Sequence, residues 1–475
     1  MVLQNLEPKK VFKYFEEISK IPRGSGNEKA ISDYLVNFAK ERNLEVYQDE
    51  ALNVIIKKPG TKGYENSKKI ILQGHMDMVN EKSEDSNHDF DKDPIEIILD
   101  GDFIHANKTT LGADNGIGVA MSLAILDSDN IEHAPLEVLV TVSEETDMHG
   151  AQVLSDSILE GDYLINIDSE EEGIMTVASA GGELYFAHYT PELEEIPKDY
   201  KFYDVKFSGF LGGHSGGEIA NNRGNMVKVM ADFLVNLKDV MLIDFLSGSK
   251  DNAIPSNGII KLAIKDNSEF DDLIKSLYEK YKSIEGNLNI VYSDGLNEKT
   301  AQSIESTKDF ANYLLDQHTG VKAFTDETKE FVELSSTLAI VKKIEDGTYE
   351  IWNSMRFGKR NEFEEFKNDF VEMSKKYPNA KYEFTNYYPE WEYKEDSKLR
   401  DIARDLYKDF TGKTMEIDIT HGGLECGVFY IKYKHLDMIS IGPDIFEAHT
   451  PRERASVSSI KRMYEYIIEL LKHLK

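Results

Sequence analysis

Residues 141–150 read Thr-Val-Ser-Glu-Glu-Thr-Asp-Met-His-Gly. Their first two residues end a run rich in Leu and Val that begins after Pro135. The run Leu136–Val142 predicts a buried β-strand, because short apolar segments bounded by turn residues are typical of covered sheets. Its carboxyl end delivers two adjacent carboxylates, Glu144 and Glu145. Neighbouring side chains point in different directions, so we expect one to bind a metal and the other to move a proton. For an isolated pair, a charged surface loop is the alternative.

Other predicted strands also run into acids or histidines. Lys69–Gln73 leads into His75 and Asp77, Tyr163–Ile167 leads into Asp168, and Met438–Ile441 precedes a loop that carries His449. Asp114 lies in the tight turn Gly112–Gly116, ahead of a segment of small and aliphatic residues that predicts a buried helix. Strands that alternate with helices predict an α/β fold, with a mostly parallel central sheet flanked by helices. In such folds the functional loops follow the carboxyl ends of the strands.

The middle of the chain has a different pattern. Two successive segments, roughly 183–295 and 301–387, each show strands and amphipathic helices in an order resembling β-α-β-β-α-β. This predicts an inserted α+β lid domain made of two ferredoxin-like halves, although no clear sequence repeat supports it. We expect a catalytic domain formed by residues 1–182 and 388–475 and a lid domain formed by residues 183–387.

Composition excludes several classes of partner. The chain has 475 residues and a formal net charge of −31, whereas nucleic acids and anionic membranes both demand a basic surface. No run of about 18 apolar residues is present, so we expect no membrane span. The single cysteine, Cys426, rules out an intrachain disulfide. It fits a reducing compartment, and with no signal peptide recognisable the sequence favours a cytoplasmic protein.

The acids and histidines together suggest a metal site. A lone histidine at a strand end is more often packed or solvated than a ligand, and an aspartate before Gly or Asn is more often a turn residue. Agreement among several separate α/β segments favours metal binding over coincidence. Imidazole and carboxylate ligands are typical of zinc, with cobalt or manganese as substitutes. The candidates are His75, Asp77, Asp114, Glu144, Glu145, Asp168 and His449.

Three longer motifs resemble a known family. They are Gly74-His75-Met76-Asp77-Met78-Val79, Thr109-Thr110-Leu111-Gly112-Ala113-Asp114-Asn115-Gly116-Ile117-Gly118 and Gly422-Gly423-Leu424-Glu425-Cys426-Gly427. The sequence resembles the co-catalytic dizinc peptidases, which include aminoacylase, bacterial carboxypeptidases and carnosinase-like dipeptidases. Within that family it is most similar to the cytosolic aminoacyl-histidine dipeptidases, which cleave β-Ala-His or Xaa-His. The resemblance extends from His75 to His449.

The resemblance implies a centre of two divalent metal ions. His75 and Asp168 would bind one metal, Glu145 and His449 the other, and Asp114 would bridge them, with a cis peptide bond after it. Glu144 would be the general base and acid. Asp77 would orient the imidazole of His75, which the spacing of two residues along a strand supports independently.

The resemblance also implies residues that hold a small peptide substrate. His214 would stabilise the transition state, Asn252 and Arg356 would contact the substrate or its carboxylate, and His421 with Gly422 and Gly423 would form a substrate-side loop. We expect lid closure to bring His214 and Arg356 onto the substrate.

The expected activity is hydrolysis of dipeptides with a free N-terminus, Xaa-His being favoured. A tripeptide aminopeptidase and an N-acyl-amino-acid deacylase are alternatives within the family. A non-catalytic metal-binding protein is an alternative of another class. The sequence leaves a homodimer open.

Overall fold

The computed structural model describes residues 2–325 and 331–475. The chain divides into two compact units. The first unit consists of the residues up to Ser179, together with Trp391–Ile419 and Leu424–Lys475. The second unit consists of Ala180–Glu390 and the short segment Thr420–Gly423. His421 and its neighbours therefore group with the second unit, although the predicted boundaries placed them with the first.

The elements up to Ser179 alternate between helices and strands. They are α1 (Lys9–Ile18), α2 (Lys29–Glu41), β1 (Glu45–Gln48), β2 (Val54–Lys58), β3 (Ile70–His75), β4 (Ile97–Asp100), β5 (Phe103–Ala106), α3 (Ala113–Leu126), β6 (Leu136–Thr141), α4 (Glu144–Asp147), α5 (His149–Val153), β7 (Tyr163–Asn166) and β8 (Ile174–Ser179).

The second unit is richer in strands. Its elements are β9 (Gly181–Tyr189), β10 (Leu193–Glu195), β11 (Lys201–Ser208), β12 (Gly213–His214), a 3₁₀ turn (Ile219–Asn221), α6 (Met226–Val235), β13 (Val240–Ser247), β14 (Ala253–Ile254), β15 (Gly258–Ile264), α7 (Phe270–Tyr281), β16 (Asn289–Asp294), β17 (Thr300–Gln302), α8 (Ile304–Asp316), β18 (Gly320–Phe324), β19 (Val332–Lys343), β20 (Tyr349–Phe357), α9 (Arg360–Ser374) and β21 (Ala380–Tyr388).

The α/β pattern returns after the second unit. The remaining elements are α10 (Lys398–Thr411), β22 (Glu416–Thr420), α11 (Glu425–Lys432), β23 (Asp437–Ser440), β24 (Ile445–Phe446), β25 (Arg454–Ser456) and α12 (Val457–His473). At the start of helix α12, the Ser456 hydroxyl accepts a hydrogen bond from the Ser459 N–H, as is typical of a serine N-cap.

The first unit is built on an eight-stranded sheet in the order β1-β2-β6-β3-β7-β23-β8-β22. The four central strands β6, β3, β7 and β23 are mutually parallel, whereas the flanking pairs β1–β2, β2–β6 and β23–β8 are antiparallel. Every residue of the four central strands is buried, as their apolar composition requires. The predicted α/β class with a mostly parallel central sheet is confirmed.

The carboxyl ends of these four strands meet at one edge of the sheet. In register, His75 pairs with Thr141, and Asn166 pairs with both Gln73 and Ser440. The segments that leave the strands carry the candidate metal ligands, so the parallel sheet brings together residues that are far apart in sequence.

The second unit contains a nine-stranded sheet whose main path is β16-β11-β15-β13-β19-β20-β9-β21, with β18 paired to β19. Strands β11, β13, β15 and β16 with helices α6 and α7 form one β-α-β-β-α-β half in the spatial order fourth, first, third, second. Strands β9, β19, β20 and β21 with α8 and α9 form the other half. The prediction that the two halves follow one another along the chain is therefore wrong. The second half begins with β9 and resumes at α8, so the first half is inserted between these two elements.

Each unit has its own apolar core. In the first unit, side chains of α1, α3 and α12 pack with the central strands around residues such as Phe12, Leu72 and Ile467. In the second unit, α6 to α9 pack on the nine-stranded sheet around Phe233, Phe310 and Phe370. No helix among the described residues is long and apolar enough to span a membrane.

Candidate metal centre and substrate-binding residues

Asp114 lies at the middle of the candidate metal centre. Its Oδ1 is 3.1 Å from Nε2 of His75, and its Oδ2 is 3.0 Å from Nε2 of His449. The two carboxylate oxygens thus face two different imidazoles. Hydrogen bonds to His449 and His75 outweigh the effect of burial and hold the pKa of Asp114 below its ordinary value.

The remaining candidate ligands complete two groups around Asp114. Asp168 Oδ1 is 3.4 Å from His75 Nε2, and Glu145 Oε2 is 2.9 Å from His449 Nε2. Ligand atoms of His75, Asp114 and Asp168 lie within 4.8 Å of one another, as do those of Asp114, Glu145 and His449. The structure therefore places all five predicted ligands in one cluster, with Asp114 common to both groups.

The turn that carries Asp114 has the local features expected of a cramped bend. Gly112 has a left-handed conformation with φ of 69°, and the Asp114–Asn115 peptide bond is cis, as the resemblance implied. Asn115 donates a hydrogen bond from its side-chain amide to the Ile167 carbonyl. This contact joins the turn to the segment that leads into Asp168.

Glu144 and Glu145 lie on a short helical turn rather than on the strand itself. Strand β6 ends at Thr141, Ser143 is left-handed with φ of 56°, and α4 begins at Glu144. Glu144 Oε2 is 3.9 Å from His75 Nε2. Burial raises the pKa of Glu144 well above its ordinary value, and the neighbouring carboxylates Asp168 and Glu145 add to the effect.

Asp77 fixes both the imidazole and the glutamate pair. Its Oδ1 lies 3.4 Å from Nδ1 of His75. The same carboxylate accepts hydrogen bonds from the backbone N–H groups of Glu144 at 3.1 Å and Glu145 at 3.2 Å, and from the Ser25 hydroxyl at 2.8 Å. Asp77 is fully buried.

The donor set fits two divalent cations. Five carboxylates and two imidazoles lie close together, and such a concentration of negative charge requires compensating positive charge. Oε1 of Glu145 is buried and has no hydrogen-bond partner among the described residues. An unpartnered buried carboxylate oxygen is costly unless it coordinates a cation. The mixture of carboxylate oxygen and imidazole nitrogen suits zinc, cobalt or manganese.

The predicted substrate-binding residues lie together in the second unit. The backbone of His214 in β12 pairs with Ala253 in β14, and the Ser215 N–H donates to the Asn252 carbonyl at 2.8 Å. Nδ1 of His214 accepts hydrogen bonds from the N–H groups of Gly216 and Gly217, each at 3.1 Å. These two contacts favour the tautomer in which Nε2 carries the hydrogen.

Arg356 joins the glycine-rich loop to the His421 segment. Its Nε donates to the Ser215 hydroxyl at 3.3 Å, and its Nη1 donates to the Tyr388 hydroxyl at 2.9 Å and to the His421 carbonyl at 3.1 Å. His421 is itself held by Ser335, whose hydroxyl lies 2.7 Å from Nε2. Burial and the positive charge of Arg356 lower the pKa of His421 to about 3, so its imidazole is neutral at physiological pH.

The loop after β22 is fixed at Gly422, whose N–H donates to the Thr420 hydroxyl at 3.2 Å. The segment Thr420–Gly423 includes His421, whose carbonyl accepts a hydrogen bond from Arg356 within this unit. Ser215, Ser335 and Tyr388 are members of the same network that the sequence analysis does not single out. Their residue types do not indicate a role in substrate binding, because isolated serine and tyrosine residues are common on protein surfaces.

Three buried charged residues near the metal centre have no role that was predicted from the sequence. They are Arg23, Glu425 and Glu453. Burial raises the pKa of Glu425 to about 8, and its Oε2 accepts hydrogen bonds from Gln73 at 2.5 Å and Thr141 at 2.7 Å. Glu425 lies within the motif Gly422–Gly427, but the partners that hold its carboxylate, Gln73 and Thr141, lie hundreds of positions earlier in the chain.

The chain is similar in sequence and in structure to known peptidases. The family model of peptidase family M20/M25/M40 matches residues 71–473. The chain is 36% identical to the cytosol non-specific dipeptidase of Escherichia coli (strain K12), over 99% of each chain. The crystal structure of the aminoacylhistidine dipeptidase from Vibrio alginolyticus superposes with a TM-score of 0.86 and 33% identity, covering 99% of this chain and 98% of that one. A Staphylococcus aureus tripeptidase, 16% identical over 99% of each chain, shares the fold with a TM-score of 0.54.

Proposed function

Because the chain belongs to peptidase family M20/M25/M40, we propose that it is a metal-dependent dipeptidase that prefers Xaa-His substrates with a free N-terminus. The observation that carries the proposal is the position of Asp114, whose two oxygens face His75 and His449 at 3.1 and 3.0 Å. That arrangement suits a carboxylate that bridges two cations. The Xaa-His preference is supported by the name of the Vibrio alginolyticus relative.

The residues of the centre divide the work. His75 and Asp168 would hold one cation, Glu145 and His449 would hold the other, and Asp114 would be shared. Two bound cations would acidify a water molecule and polarise the scissile carbonyl. Glu144, whose Oε2 lies 3.9 Å from Nε2 of His75, would accept the proton of that water and return it to the leaving amine. Asp77 keeps His75 in the required tautomer and holds the backbone of Glu144 in place.

The residues of the second unit hold the peptide. Arg356 is suited to the substrate carboxylate because a guanidinium can pair with it through two hydrogen bonds. His214, whose Nδ1 accepts hydrogen bonds from Gly216 and Gly217, would stabilise the transition state, as the family resemblance implies. Asn252, His421, Gly422 and Gly423 provide further polar contacts.

A second candidate is a dipeptidase without preference for a C-terminal histidine, which the name of the Escherichia coli relative favours. That name and the single buried cysteine also support a cytoplasmic location. The same catalytic centre serves both candidates, and the difference lies in the pocket that receives the second side chain.

One set of assays separates these activities. The protein is stripped of metal with a chelator, reloaded with zinc, cobalt or manganese, and offered β-Ala-His, Ala-His, Ala-Ala, a tripeptide and an N-acetyl amino acid. We expect hydrolysis only after reloading, with Ala-His turned over faster than Ala-Ala. Equal rates for these two dipeptides would favour the non-selective dipeptidase. Turnover of the tripeptide or the acetyl amino acid alone would refute the dipeptidase assignment.

A further inference from the structure

Arg23 and Glu453 are two buried charged residues for which the reaction described above has no direct use. Each is 2% exposed. Placing an isolated charge inside a protein is costly unless the charge is satisfied by hydrogen bonds. Glu453 accepts hydrogen bonds from the turn that carries Asp114, and Arg23 donates to that turn and to the segment that follows His75.

Glu453 contacts the turn through both carboxylate oxygens. Oε2 accepts from the N–H groups of Leu111 at 2.8 Å and Gly112 at 3.0 Å, and Oε1 accepts from Ala113 at 2.7 Å and Asp114 at 3.4 Å. These N–H groups lie at the start of α3, where the helix leaves donors without partners and a negative charge is favoured.

The sequence position of Glu453 gives these contacts a second consequence. Glu453 follows His449 by four residues, on the same loop between β24 and β25. Its carboxylate therefore fastens the segment that carries His449 to the turn that carries Asp114.

Arg23 fastens the turn from the other side. Its Nη1 donates to the carbonyls of Met76 and Asp77, each at 3.0 Å, and its Nη2 donates to the Gly112 carbonyl at 2.5 Å. Met76 and Asp77 leave the strand that ends at His75. A Cβ atom at Gly112 would lie 2.4 Å from Nη2, and one at Gly116 would lie 2.7 Å from it. The two glycines therefore leave the space that the guanidinium fills.

We propose that Arg23 and Glu453 are positioning residues that fix the bridging aspartate relative to the two metal sites. Arg23 sets the position of Asp114 relative to His75, and Glu453 sets it relative to His449. The proposal rests on the two-metal centre of the proposed function. Because each oxygen of Asp114 faces one histidine, a displacement of the turn on one side weakens one site before the other. Loss of Glu453 therefore weakens the metal at His449, and loss of Arg23 weakens the metal at His75.

The test measures zinc binding in the absence of substrate. Stepwise dissociation constants are obtained by competition with a chromophoric chelator for the parent, Glu453→Gln and Arg23→Met. Loss of a group that orients metal ligands typically weakens metal binding by about 10- to 100-fold. We expect Glu453→Gln to weaken one zinc ion by about this factor and to change the other by less than about threefold, and Arg23→Met to do the reverse.

Histidine variants assign the affected site. In a His449→Ala background only the His75 site remains, so adding Glu453→Gln should change the remaining dissociation constant little, whereas adding Arg23→Met should weaken it. In a His75→Ala background the two effects should exchange. Such cycles isolate the coupling between each positioning residue and its site.

Glu447→Gln is the matched control. Glu447 lies on the same loop as Glu453, but its carboxylate pairs with Arg452 and with Arg454 at the surface, at 2.6 Å in the second case. We expect this variant to bind both zinc ions as the parent does.

Two results would overturn the proposal: folded variants that bind both zinc ions within about twofold of the parent, or variants that weaken both sites equally in either histidine background. If circular dichroism shows that Glu453→Gln is unfolded, Glu453→Asp replaces it, because it keeps the charge but withdraws the carboxylate from the turn, and the same selective loss is expected. A parent that binds two zinc ions without cleaving any peptide would refute the proposed function but not this inference.

Discussion

The substitution Asp77→Asn tests how the centre is held together. The Asp77 carboxylate faces three donors besides His75: the Glu144 N–H at 3.1 Å, the Glu145 N–H at 3.2 Å and the Ser25 hydroxyl at 2.8 Å. An asparagine has the same size but only one acceptor oxygen. Its amide nitrogen would oppose a backbone N–H, so at least one hydrogen bond to a charged acceptor is lost, at a cost of about 1.5–3 kcal/mol.

Two effects on the isolated protein follow from this loss. The imidazole of His75 loses its carboxylate partner, so we expect zinc at that site to bind about 10- to 100-fold more weakly. The backbone of Glu144 loses its anchor, so we expect kcat to fall at least about tenfold even when zinc is saturating. Zinc affinity is measured by chelator competition, and kcat from the release of histidine from Ala-His.

Ser25→Ala is the graded control for Asp77→Asn, because it removes one of the three donors and leaves the charge in place. We expect it to change zinc affinity and kcat by less than about threefold. The reasoning would be refuted if Asp77→Asn bound zinc and turned over Ala-His within about twofold of the parent protein.

Three further substitutions separate binding, chemistry and stability. Glu144→Gln should retain two zinc ions but lower kcat by about 10²- to 10⁴-fold, measured by metal analysis and Ala-His hydrolysis, because the proton acceptor is lost; retained turnover would exclude Glu144 as the base. Arg356→Lys should raise KM for Ala-His by about tenfold with zinc affinity unchanged, since lysine cannot make a bidentate contact with a carboxylate; an unaltered KM would remove Arg356 from the substrate site. Burial raises the pKa of Glu425 to about 8, so the metal-free native protein keeps a proton that the unfolded chain releases above about pH 4. The free energy of unfolding of the native protein therefore falls as the pH rises towards 8, by up to about 1.4 kcal/mol per pH unit. Urea denaturation at pH 5 to 8 should show a flatter dependence for Glu425→Gln than for the parent, and parallel curves would contradict the raised pKa.

The sequence was sufficient to predict the fold class, the family and the elements that carry the candidate metal ligands. Buried apolar strands that lead into acids or histidines predicted a parallel sheet. His75 ends one of its four central strands, and Glu145 and Asp168 follow two others. The family resemblance is confirmed by the match of the peptidase family M20/M25/M40 over residues 71–473 and by the full-length similarity to the Escherichia coli dipeptidase.

Nesting within the second unit could not be predicted from the order of the elements. Each half has the same succession of strands and helices, so a linear pattern does not indicate which half β9 joins. Only the pairing of β9 with β20 and β21 assigns it to the half completed by α8 and α9.

The buried charges could not be predicted because their partners are distant in sequence. Glu453 binds the N–H groups of a turn about 340 positions earlier, and the Glu425 carboxylate meets Gln73 across 352 positions. In a sequence, a glutamate on an exposed loop cannot be distinguished from a glutamate that is buried in the folded protein. A buried charge can be recognised only in the folded structure, where backbone groups form hydrogen bonds with it.

Anomalous diffraction at the zinc edge from zinc-loaded crystals is the most direct measurement of the two-metal centre. The account predicts two peaks about 3.5–4 Å apart, one contacted by His75 and Asp168 and the other by Glu145 and His449, with an oxygen of Asp114 on each. A single peak, or peaks that Asp114 does not contact, would contradict it.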